Sequence, residues 1–106
     1  MIKIFNTCWN IVLTEDKKQL LLNGTLCKGV VNYKDITIFI DKSITSSQLE
    51  RLIPHELAHI VIYVTQFQRK DIFTEEDLCD FMALYGSYIS KKSKEVIRKI
   101  KMMQSF

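Results

Sequence analysis

Apolar and polar positions alternate at two different periods along this chain, and the period changes near residue 45. Ile36, Ile38 and Ile40 alternate with Thr37 and Phe39, the period-two pattern of a strand with one buried face. Residues 28–32 read as its partner strand, joined to it through Tyr33, Lys34 and Asp35. Residues 2–13 are rich in β-branched and aromatic side chains and predict one bent strand or a tight hairpin about Asn6 and Thr7. Between these strands, residues 15–23 fit a short helix stopped by Gly24.

Beyond residue 45 the spacing is helical. Ser47 and Glu50 have the spacing of a capping box. The helix they open is expected to run to Val64 or Thr65, with Leu49, Ile53, Leu57, Ile60, Val61 and Val64 as its core seam. Pro54 inside it predicts a kink or a fresh start, because proline removes one backbone hydrogen bond and crowds the carbonyl four residues earlier. A second cap, Thr74 with Asp77, opens another helix with Leu78, Phe81, Met82, Tyr85 and Ile89 on one face. A third amphipathic helix is expected from Lys94 onward, with Val96, Ile97, Ile100 and Met103 as its stripe. Strands first and helices after make the predicted class α+β.

Composition narrows the setting. The chain has 106 residues, 47% of them hydrophobic, which suits one domain over residues 1–106 and one core. Cys8, Cys27 and Cys79 are widely spaced and form no C-x-x-C pair, so neither a disulfide framework nor a cysteine zinc knuckle is expected, and a reducing cytoplasm is the simplest setting. The first residues lack the apolar run and cleavage site of a secretory leader, and no apolar run is long enough to span a bilayer. Charge is uneven. Residues 91–106 carry six Lys or Arg against Glu95, a balance of +5 that leaves about −2 for the rest of a chain whose net charge is +3. The apolar stripe of this tail favours docking on the domain over binding nucleic acid, and its few bulky apolar residues make a membrane surface a weaker reading still.

The two histidines, His55 and His59, are four residues apart with Glu56 between them. On a helix, positions four apart point the same way, so both imidazoles can hold one zinc ion. Glu56 is turned aside by about a quarter turn, where it can act as general base without ligating. The core seam lies on nearly the opposite face, which argues against a pair of core histidines. A third ligand must be a carboxylate or a cysteine. The next helix offers Glu75, Glu76, Asp77, Cys79 and Asp80, of which Glu75 and Asp77 are accounted for by the helix start. Glu76 lies away from the apolar face, on a side with Cys79, Ala83 and Ser87, and is the favoured ligand. Asp80, one turn on, is placed to accept the free N–H of a ligating imidazole.

The residues H-E-L-A-H at 55–59 followed by E-D-L-C-D at 76–80 resemble the gluzincin pattern. E-D-L-C-D-F-M-A at 76–83 resembles the signature of the ImmA/IrrE metallopeptidase family, and residues 29–40 are similar to the hairpin of small HExxH proteins of phages and mobile elements. Together these cover most of residues 1–90. The resemblance implies a minimal zincin core: a small twisted sheet, an active-site helix, a glutamate helix and, here, a C-terminal amphipathic helix. It implies a zinc-dependent peptidase acting on a protein or peptide substrate such as a mobile-element regulator. The chain departs from the family in Pro54 before the motif, in Cys79 where alanine is usual, in the short span from His59 to Glu76 and in lacking an extra recognition domain. Zinc held by His55, His59 and Glu76, with Glu56 as base, would also want an oxyanion donor, and Tyr33, Tyr63, Tyr85 and Tyr88 are open choices. An extended substrate could add to the sheet edge near residues 28–33. The competing expectation is a zinc-binding domain of the same fold that binds a partner protein without turnover.

Overall fold

A computed structural model describes residues 1–65 and 74–105. The chain forms β1 (Ile2–Ile4), β2 (Thr7–Thr14), a 3-10 turn (Lys17–Leu20), β3 (Leu21–Leu22), β4 (Thr25–Leu26), β5 (Gly29–Asn32) and β6 (Thr37–Asp41), then α1 (Ser46–Thr65) and α2 (Glu75–Gln104). Four strands make a mixed sheet in the order β1-β2-β6-β5, with β2 and β6 parallel and both edge strands antiparallel to their neighbours. The class is α+β.

The sheet is one-sided. The register sets Ile11 beside Ile38 and Leu13 beside Ile40, while Ile2 pairs with Trp9. These side chains join Leu49, Ile53, Leu57, Ile60 and Val61 of α1 and Phe81, Ile89, Val96 and Ile100 of α2 in one core. The alternate positions Lys3, Cys8, Asn10 and Val12 are exposed. Each fully buried aliphatic side chain contributes roughly 1.5–3 kcal/mol, so this shared seam holds both helices on the sheet.

Several expectations change in the folded chain. The N-terminal hairpin forms, but its turn is Phe5-Asn6, with Ile4 paired to Thr7. Phe5 takes a left-handed φ of 51°, which a bulky residue adopts only when held there. Its ring stacks on Tyr88 at 4.5 Å, and its N–H donates to the Tyr88 hydroxyl at 2.8 Å. Tyr88→Phe keeps the stack and removes the acceptor. It is expected to cost about 1 kcal/mol, read as a lower midpoint in thermal denaturation.

The helix expected over residues 15–23 is instead a 3-10 turn capped by Asp16, followed by the β3–β4 hairpin. The turn of that hairpin is Asn23-Gly24, both at positive φ, the backbone that this dipeptide favours. Ile36, expected in the strand, lies in the preceding turn at φ 50° and is exposed.

The cap of α1 lies two residues upstream of the Ser47–Glu50 box. The Thr45 hydroxyl accepts from the Gln48 N–H at 3.2 Å, and the Gln48 side chain accepts from the Thr45 N–H at 2.9 Å. Helix α1 continues through Pro54 with no fresh start. The carbonyl that loses its donor belongs to Glu50, an exposed residue that water can reach.

The Thr74–Asp77 box does cap α2, which then runs unbroken for 30 residues and absorbs the separate C-terminal helix. Residues 89–94 contain no glycine or proline to end it, and Ser93 is buried against the core. Phe81 and Ile89 are buried as expected, whereas Leu78, Met82 and Met103 are exposed. In the basic tail Val96 and Ile100 are fully buried, so its stripe packs on the domain. The tight connection expected between His59 and Glu76 falls largely on residues 66–73, outside the described residues. Among the described residues no helix is long and apolar enough to cross a membrane.

Candidate metal centre

Burial sets the rotation of α1. With Leu49, Ile53, Leu57, Ile60 and Val61 turned into the core, His55 and His59 face outward and are exposed. Glu56 falls between these two faces and is buried, 7% exposed. The β5 edge strand passes beside this part of α1. Gly29 permits that closeness: a Cβ there would lie 2.6 Å from Leu52 Cδ2 and 3.3 Å from Ile40 Cδ1. A cavity of about 390 Å³ results between the edge and the helix, and His55, Glu56, His59, Tyr33, Cys27 and Leu52 help line it.

The two imidazole Nε2 atoms stand 3.2 Å apart, with the rings at 81°. Two nitrogens each about 2.0–2.1 Å from a tetrahedral zinc would be separated by roughly 3.3 Å, so the pair has the bite that zinc requires. Burial and then the neighbouring His55 hold the His59 pKa below its usual value, which favours the neutral, ligating form. Burial alone pushes Glu56 up to about 7. A carboxyl poised near neutrality can take a proton and return it.

The four tyrosines separate into two groups. Tyr85 and Tyr88 pack on Phe5, at the hairpin turn. Tyr33 lines the cavity and packs against Tyr63 at 4.5 Å and edge-on to Trp9 at 6.2 Å. Burial, then the Glu56 carboxylate and Tyr63, raise the Tyr33 pKa, so its hydroxyl stays a proton donor. Cys27 in the wall was not foreseen; nothing in its spacing marks it.

The structure thus brings His55, Glu56, His59 and Tyr33 to one cavity. Glu76 and Asp80 are exposed near the start of α2, as is Cys79, and Asp77 serves the cap. Among the described residues, no three His, Cys, Asp or Glu side chains form a group placed to hold a metal ion. His55, Glu56 and His59 are therefore assembled, and Glu76, the expected third ligand, is not grouped with them. No family model, no curated protein and no solved structure matches this chain.

Proposed function

We propose that this chain is a small zinc-dependent peptidase of the HExxH type, akin to the ImmA/IrrE family it resembles. The observation that carries the reading is the 3.2 Å separation of the His55 and His59 Nε2 atoms, with the buried Glu56 between them on the helix. The donor types would suit zinc: the His55 and His59 imidazoles, with the Glu76 carboxylate brought in from α2 as the third ligand. When bound there, zinc supplies Lewis acidity to the hydrolytic water and to the carbonyl under attack. Glu56 takes the proton released as the peptide carbonyl is attacked and passes it to the leaving amine. Asp80 is the proposed acceptor for a ligating imidazole N–H. The Tyr33 hydroxyl donates toward the developing oxyanion. Among the described residues β5 is an edge strand beside the site, where an extended protein or peptide, such as a mobile-element regulator, can add as a further strand.

Zinc content tests this directly. Protein purified without added metal or a histidine tag is expected to hold about one zinc per chain, and His59→Ala and Glu76→Ala to lower its affinity by at least about ten-fold. A chain that neither carries zinc nor takes it up on titration sinks the reading. Tyr33→Phe is expected to lower kcat by about 10²-fold with little change in KM, the pattern of a donor used in the transition state. One observation favours the second reading, a partner-binding domain without turnover: Glu76 and Asp80 are exposed rather than gathered at the histidines.

A further inference from the structure

A cavity of about 740 Å³, larger than the one at the histidines, lies in the groove between α1 and α2. Gln104 of α2 donates to the Ile44 carbonyl just before α1, so the two helices run antiparallel and the groove follows their length. From Met82 to Lys101 it extends roughly 28 Å along α2. Pro54 and Ala58 of α1 face Gly86, Ser90 and Ile97 of α2 across it. These small and apolar side chains leave room for a third backbone to approach closely.

Two further features point to an occupant. Ser93 lines the groove, is 4% exposed, and its Oγ has no hydrogen-bond partner among the described residues. Lys94, Arg98 and Lys101 stand along the rim at i, i+4 and i+7, all exposed, and none has an ion-pair partner among the described residues. Among the described residues, the acid in the lining is Glu50, on the other wall.

We propose that this groove receives an acidic amphipathic helix of a partner protein. The helix would lay its apolar face on the small-residue floor and pass its carboxylates along Lys94, Arg98 and Lys101. Nucleic acid would meet the cations but leave the apolar floor uncovered. An acyl chain would lack enclosure, because Met82, Ser90, Lys94 and Arg98 leave one side open to solvent. The proposal uses no residue of the histidine site and stands whether or not the chain hydrolyses peptides.

The probe is a synthetic helix of about 18 residues, long enough for the groove, with leucine at i, i+3, i+4 and i+7 and glutamate on the flanks. A lysine-flanked counterpart is the control. Binding to the full chain is read by fluorescence anisotropy and by amide shifts. The glutamate helix is expected to bind at least about ten-fold tighter than the lysine helix, to weaken as salt rises, and to shift amides along residues 82–101. The variant K94E/R98E/K101E is expected to reverse the order of the two probes. Gly86→Leu should block both, since an added Cβ meets only Met82 Cε at 3.4 Å and the side chain fills the groove. Should Gly86→Leu fail to fold, the charge-reversed variant decides. Equal binding of the two probes, no binding, or shifts centred elsewhere would overturn the proposal. So would self-association of the chain through the same residues in sedimentation, or dodecanoate shifting the groove where the glutamate helix does not.

Discussion

Glu56→Gln is expected to leave the fold and the zinc content intact and to lower peptide hydrolysis by about 10²–10⁴-fold, the usual worth of a positioned general base. The side chain is 7% exposed, and burial alone pushes its pKa up to about 7. The site therefore already accommodates a neutral group of this shape, and Gln supplies one. What Gln lacks is the ability to take a proton. Hydrolysis of a quenched fluorescent peptide mixture, zinc content and far-UV circular dichroism would be measured on both proteins. Undiminished hydrolysis in the variant removes Glu56 from the base role. Equal inactivity of two folded, zinc-loaded proteins favours the partner-binding reading. A loss of zinc together with activity would show that Glu56 holds the metal.

The second large effect concerns Gly29. Its lack of a side chain lets Leu52 of α1 seat against β5, where a Cβ would come within 2.6 Å of Leu52 Cδ2. Gly29→Val should relieve some strand entropy, by roughly 0.5–1 kcal/mol. Against that stands overpacking of a tight contact, which costs about 1–3 kcal/mol for modest additions and more for a branched side chain. The net expectation is a loss of about 2 kcal/mol, visible in urea denaturation. Because the wedge falls between β5 and the helix that carries His55 and His59, zinc affinity should fall with it. Leu52→Ala supplies the check, since it removes the colliding methyls. The double variant should recover at least about 0.5 kcal/mol relative to the sum of the single changes, as contacting residues do. Strict additivity would mean that the close approach is not what Gly29 provides.

The placement of His55, Glu56 and His59 was legible because it is local. His55 and His59 lie one helical turn apart, and the seam from Leu49 to Val61 orients the helix they share, so both the spacing and the face follow from the chain itself. The same holds for the Thr74–Asp77 cap and for the alternation that buries Ile38 and Ile40. Two local signals were present but outweighed. Asn23-Gly24 between leucines marks a hairpin, yet the leucine-rich run before it also fits a helix. Thr45–Gln48 and Ser47–Glu50 are overlapping boxes of the same type. Ile44 at the end of the sheet is buried, its N–H bonded to the Asp41 carbonyl, and the helix starts directly after it.

By itself, then, the sequence determined the strand and helix periods, the helix that carries H-E-L-A-H and the outward face of its histidines, all interactions within a few residues. The tertiary structure alone decided that β2 pairs parallel with β6, that β5 becomes the edge beside α1, and that Tyr33 rather than Tyr85 or Tyr88 reaches the cavity. It also raised Glu56 toward neutrality and left Glu76 in solvent. These outcomes depend on which distant surfaces pack together and exclude water, and a pattern of residue types along the chain carries no record of that packing.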